Sequence, residues 1–196
     1  MKVPLSWLKD YVEITIPAHE LARKLTFAGL EVEAMEYIGL PKPDGKRHET
    51  KIGGLEWGRE TIVVGDVLEV NPHPNADRLV LVQLDDGKQV QTVLTGAPNL
   101  FPYKGQGPLE DPLKVAYAEE GAFIYDGRKP GQHIMKLKRS KIRGVESYSM
   151  ACSEKELGIS DEHEGVIIFG DDAPVSGTPL VDYIGDVVFD ITITPN

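Results

Sequence analysis

Between Ile62 and Lys138 the chain offers a series of short β-rich runs, each closed by proline or glycine, with no helical period linking them. Ile62 to Val70 is dense in β-branched residues. Asn71-Pro72-His73-Pro74-Asn75 ends it, because proline supplies no donor to a ladder. Leu79 to Asp85 follows, closed by the hairpin signature Asp86-Gly87, and Gln89 to Thr95 is its expected partner. Residues 98–112 hold four prolines and two glycines and read as a loop. Lys114 to Ala118 and Ile134 to Lys138 complete the set. Five short strands with such punctuation predict a small closed barrel. Apolar residues on both faces of Leu79–Leu84 predict that its outside is covered.

The flanks have a different grammar. Ser6 is placed to cap a short helix, Trp7 to Tyr11. After Pro17, the residues Leu21, Ala22, Leu25 and Ala28 form one apolar stripe, and Gly29 supplies a left-handed stop. Leu30 to Ile38 reads as a half-buried strand, with Leu30, Val32 and Ala34 facing inward. Residues 39–60, with Pro41-Lys42-Pro43-Asp44-Gly45 and Gly53-Gly54, read as a connector. Near the other end, Ser153 to Gly158 resembles a capped helical turn. Gly165 to Phe169 is a strand or buried turn, Pro179 to Ile184 a short helix, and Val187 to Thr194 an alternating strand. That strand runs straight into Pro195-Asn196, so the chain is expected to continue. The fold class is α+β. The expected domains are a barrel over 40–150 and a discontinuous helix-and-hairpin domain over 1–39 and 151–196.

Charge separates along the chain. The net value is −10, from 21 basic and 31 acidic residues. Taken whole, that disfavours nucleic acid, because phosphate is repelled by a negative field. By segment, however, residues 1–39, 40–150 and 151–196 carry −2, +1 and −9. Arg128, Lys129, Lys136, Lys138, Arg139, Lys141 and Arg143 form an acid-free basic stretch. It is either a phosphate-binding track or a set of partners for the acidic tail. At strand spacing Lys136 and Lys138 share a face, and Arg139 and Lys141 point the other way.

Catalytic patterns are weak. His19, His48, His73, His133 and His163 show no metal-ligand spacing, and Gly105-Gln106-Gly107-Pro108 lacks the lysine of a phosphate loop. The single cysteine, Cys152, excludes a disulfide framework and reads as a buried thiol. No run of 18 apolar residues occurs and no apolar stretch follows Lys2, so no membrane partner and a cytoplasmic location are expected.

Two motifs carry a resemblance. Val64 to Leu79, containing Asn71-Pro72-His73-Pro74-Asn75-Ala76-Asp77-Arg78, and Lys141-Ile142-Arg143-Gly144-Val145-Glu146-Ser147 with Met150, resemble the tRNA-binding OB domain of tRNA-binding proteins and aminoacyl-tRNA synthetases. Trp7 to Val12, Leu25 to Glu33, Cys152 to Gly158 and Phe189 to Asn196 resemble the opening of the bacterial phenylalanyl-tRNA synthetase β subunit. The sequence departs from that pattern at Ser149 and Ala151, and residues 39–60 and 99–113 are longer than usual.

The resemblance implies a five-stranded OB-fold barrel inserted into a small helix-plus-hairpin domain formed by both chain ends. It implies tRNA, the α subunit and the rest of the β subunit as partners, in a heterotetramer of two α and two β. It places catalysis, with ATP and magnesium, in the complete enzyme and no cofactor on this fragment. An OB groove joins a cationic track to stacking surfaces. The candidate tRNA-binding residues are Lys136, Lys138, Arg139, Lys141 and Arg143, and, by the resemblance, Asn75, Arg78, Ser147 and Met150. Arg78 and Arg143 are expected to converge at one barrel end, with Glu146 fixing Arg78 or a backbone amide. Asn75 and Asp77 have a structural reading too, as satisfiers of turn amides. The alternatives are a protein-interaction module with little RNA contact, and a free-standing tRNA-binding protein.

Overall fold

The structure is a computed structural model, and it describes residues 1–44 and 50–192. In chain order the first elements are β1 (Lys2–Pro4), α1 (Leu5–Lys9), α2 (Ala18–Phe27), β2 (Glu31–Gly39), β3 (Lys51–Glu56), β4 (Ile62–Pro72), β5 (Val80–Asp85) and β6 (Val90–Thr95). A 3-10 turn, Pro98–Tyr103, precedes β7 (Pro108–Ala118), β8 (Phe123–Tyr125), β9 (Ile134–Lys136), β10 (Ser140–Ile142), β11 (Val145–Ser147) and β12 (Met150–Ala151). The last are α3 (Glu154–Leu157), α4 (Leu180–Ile184) and β13 (Asp186–Thr192). Residues 1–56 with 184–196 form one compact unit, and 57–183 form another.

In the first unit both chain ends share one sheet, ordered β1-β13-β2-β3. β13 lies antiparallel to β1 and β2, and β3 runs parallel to β2. Val187, Phe189 and Ile191 face a core with Val32, Met35 and Tyr37, against which α2 lays Ala22, Leu21 and Leu25. A register shift opposite Asp190/Ile191 explains why Ala34 does not share the inward face of Val32: after it, Met35 and Tyr37 turn inward. Ser6 does not cap α1. Pro4 holds that position, and the Ser6 N–H and hydroxyl both donate to the Asp186 carboxylate. The expected connector contains a strand, β3. Its Gly53-Gly54 is there for close approach, because a Cβ at Gly54 would collide with the Tyr37 carbonyl and its φ is +109. Ile193 to Asn196 and His48 lie outside the described residues.

In the second unit the antiparallel order β12-β7-β4-β5-β6 makes a five-stranded, nearly closed OB-type barrel, whose edges β12 and β6 approach one another. Closure depends on β4. It pairs with β7 over its first half and with β5 over its second, and a shift between Val67 and Glu69 bends it from one to the other. Val63, Val67, Val70, Val82, Leu84, Val115 and Tyr117 fill the interior. On β5, Val80, Val82 and Leu84 are buried while Leu81 and Gln83 are half-buried, so the outer face is only partly covered. The Asp86 carboxylate holds the hairpin turn by accepting from the N–H groups of Lys88 and Gln89, both at 2.9 Å.

Four expectations are corrected here. Pro72 ends β4 as a paired residue instead of breaking it earlier, and the presumed 98–112 loop contains the 3-10 turn and the start of β7. The fifth barrel strand is Met150–Ala151, paired with β7. Ile134–Lys136 instead forms a separate ribbon with β8, because all three of its residues are exposed and offer no inward face. The unit boundaries also fall elsewhere than at 39/40 and 150/151. β3 joins β2, while 151–183 stay with the barrel through Cys152 N–H to Ala116 O and Ile167 N–H to Cys152 O, both 2.8 Å. Among the described residues no helix is long and apolar enough to cross a membrane.

Candidate nucleic-acid interface

Two small ribbons, β8–β9 and β10–β11, stand beside the barrel edge, and a groove of about 480 Å³ is lined by residues from β6, both ribbons and β12. The second ribbon turns at Arg143-Gly144. Both have positive φ, +50 and +93, between the paired Ile142 and Val145, the geometry of a two-residue type I′ hairpin. The first pairs Phe123 with Lys136 and Ile124 with Met135. The groove's apolar wall includes Met135, Leu137, Ile142, Tyr148 and Met150. Arg128 and Lys138 bring positive charge to it; Asp126, Glu156 and Glu164 bring negative charge.

The floor is anchored by α3. Ser153 and Glu156 form a complete capping box: Glu156 Oε2 accepts from the Ser153 N–H at 2.8 Å, and the Ser153 hydroxyl oxygen accepts from the Glu156 N–H at 3.4 Å. Gly158, with φ +73, ends the turn as the sequence predicts. Burial pushes the Glu156 carboxyl up from its ordinary range, against the pull of the Ser153 hydrogen bonds and the Arg128 charge. The backbone N–H of Arg128, followed by Lys129, pulls the Asp126 carboxyl down. Cys152 is buried, and burial raises its thiol well above the usual range, so it is inert packing.

Of the sequence candidates, Lys138, Ser147 and Met150 line the groove together. Lys136, Lys141 and Arg143 are exposed outside it, Arg143 at the hairpin tip. Among the described residues Lys136, Lys138, Lys141 and Arg143 make no ion pair. Arg139 differs. Its guanidinium pairs with Glu120 at 3.2 Å and Glu146 at 3.8 Å and lies 4.5 Å from the Tyr148 ring centroid. The hydrogen bond to Glu120 raises its pKa further. Among the described residues the carboxylates that form ion pairs with the stretch are thus Glu120, Glu146 and Asp126 (with Lys129, 3.3 Å), and the acidic tail contributes only the charge of Glu156 near Arg128. Glu146 fixes Arg139, not Arg78.

Asn75 and Arg78 are exposed in the β4–β5 loop and do not line the groove, although Leu79 does. The turn amide of Asn75 is satisfied by His73 Nδ1 at 3.0 Å, so the neighbouring histidine does what the Asn and Asp side chains were expected to do. The sequence reading placed Arg128 in the basic stretch but not among the site residues, and it missed Tyr148 and the groove carboxylates, which only the ribbon pairing brings together. It also passed over Phe123, although Phe123-Ile124-Tyr125 has strand composition.

A five-stranded barrel with a groove at its edge and cations around the rim belongs to the OB class, which holds oligonucleotides and oligosaccharides. Residues 62–108 match the family described as Putative tRNA binding domain. All of this chain is 42% identical to a phenylalanine–tRNA ligase beta subunit of Dehalococcoides mccartyi, covering 21% of it. It is 39% identical to the beta subunit of Protochlamydia amoebophila, covering 21%, and 40% identical to that of Geobacter metallireducens, covering 20%. The chain therefore spans about a fifth of the length of the curated relatives it matches. Over its whole length the chain is similar to a part of phenylalanine–tRNA ligase beta subunits.

Proposed function

We propose that this chain is the tRNA-binding N-terminal part of a phenylalanine–tRNA ligase β subunit. It holds tRNA weakly along the barrel groove, away from the reactive centre, and supports charging with phenylalanine without catalysing it. The observation that carries this reading is that Lys138 shares the groove with Tyr148, Ser147 and Met150 while making no ion pair among the described residues. A cation beside an aromatic and a sulfur-bearing wall is what a looped, single-stranded RNA segment requires. Asn75, Arg78, Lys136, Lys141 and Arg143 extend the contact around the groove, and Arg139 presents its stacked face.

On this reading the partners are tRNA, the remaining β-subunit domains and the α subunit, in a cytoplasmic heterotetramer. ATP and magnesium act in the complete enzyme. The described residues do not fit a bound metal, because no three His, Cys, Asp or Glu side chains among them gather as ligands. One observation favours a second reading, a protein-interaction module: Arg139 is already engaged by two carboxylates. Titrating the chain with tRNA at two salt concentrations separates the two. Weak binding that falls steeply with salt supports the RNA reading. Absence of binding at low salt leaves the interaction module.

A further inference from the structure

On the β8–β9 ribbon, Ile124 and Met135 line the groove; of the residues that alternate with them, Tyr125 is buried and lines it too, while the exposed Phe123, Ile134 and Lys136 do not. This outer face is unusual for a chain of net charge −10. Phe123 is 53% exposed and Ile134 58% exposed, diagonal to one another on a ribbon of only two strands. The ammonium of its cross-strand partner lies against the Phe123 ring, with Lys136 Nζ 5.5 Å from the centroid. No carboxylate pairs with Lys136 among the described residues. A cation held by a ring's π-face at an exposed site is weakly bound and readily displaced.

We propose that Phe123 is a second RNA contact, on the side of the ribbon away from the groove, where an unstacked base of the tRNA lies against the phenyl ring. The lysine is the placeholder. The incoming base takes its position over the ring, and the released ammonium turns to the phosphate of the same nucleotide. Ile134 supplies apolar surface beside the base. The occupant is RNA and not an apolar protein surface, because the patch carries at its centre a cation that pairs with no carboxylate among the described residues. A base brings both the π-face for Phe123 and the anion for Lys136. The ribbon would then be clasped by RNA on both faces. This inference rests on the tRNA reading above.

The test uses the 196-residue chain, tRNA and two variants at one exposed position, where neither substitution disturbs the core. Phe123→Ala is expected to weaken tRNA binding by about 10- to 100-fold and leave the salt slope unchanged. Phe123→Trp is expected to bind like the parent. Its added indole emission, read as the difference from the parent's own tryptophans, should be quenched as tRNA is added. If the parent binds tRNA while Phe123→Ala binds equally well and the indole signal does not move, stacking is refuted and the tRNA reading stands. A loss in Phe123→Ala that Phe123→Trp does not restore also refutes stacking. If the parent does not bind tRNA, both readings fall.

Discussion

Lys138 and Arg139 are adjacent, carry the same charge and are equivalent to any argument from net charge. The structure makes them unequal. Lys138 lines the groove with no ion pair among the described residues, whereas Arg139 is held by Glu120, Glu146 and the face of Tyr148. A phosphate arriving at Lys138 releases a counterion, while one arriving at Arg139 must compete with carboxylates already in place. If Lys136, Lys138, Lys141 and Arg143, which make no ion pair among the described residues, each meet one phosphate, log K should fall against log salt with a slope of about −2.8 to −3.6. From 50 to 200 mM salt that is a loss of roughly 50- to 150-fold in affinity. Lys138→Gln should make the slope shallower by about 0.7 to 0.9. Arg139→Gln, an identical change in net charge, should alter the slope by less than half of that. Fluorescence anisotropy with labelled tRNA at four salt concentrations measures both. Equal slope changes in the two variants would mean that the field of the whole molecule, not the local pairing, governs binding, and the reasoning from the groove would be wrong.

Two further outcomes follow from the packing. The raised Glu156 carboxyl binds its proton more tightly folded than unfolded, so its contribution favours the folded state at acid pH and is lost as pH rises through its raised pKa. Glu156→Gln keeps an N3 side chain that can complete the capping box. It should raise the melting temperature of the barrel unit at pH 7 and give no advantage below the ordinary carboxyl range; an offset equal at pH 4 and pH 7 would contradict this. Deleting residues 185–196 removes β13 from between β1 and β2, so the first unit should lose its cooperative transition while the barrel unit keeps its own. Calorimetry showing both transitions intact would contradict it.

What could be read from the sequence was what local chemistry decides. The stripe of α2, the hairpin at Asp86-Gly87 and the Ser153–Gly158 cap each rest on residues within a few positions of one another, and the structure forms them all. Where partners are distant the pattern misleads. Gly53-Gly54 looks like a turn until Tyr37 is known to run alongside. Met150–Ala151 is too short to show a period, so Ile134–Lys138 took its place as fifth strand. The engagement of Arg139 depends on Glu120, 19 residues away, and no spacing rule connects them. Lys138, Ser147 and Met150 were recognisable as candidates by residue type and motif. That they share one groove follows only from two ribbons whose pairings the sequence does not announce.

The strand that completes the first unit leaves the ribosome only after the whole barrel unit has been made. Met1 and Asp190, joined through the terminal amine, are 189 residues apart. At about 5–20 residues per second, the amino-terminal portion waits roughly 10 to 40 seconds for its central partner. During that interval Val32, Met35 and Tyr37 have no β13 to cover them. The barrel unit, whose residues are all synthesised earlier, has time to fold in between and to shorten the gap that the two ends must close. A nascent chain of this kind is therefore most exposed to misassociation just before β13, Asp186–Thr192, emerges, and that is the stage at which a chaperone would be needed.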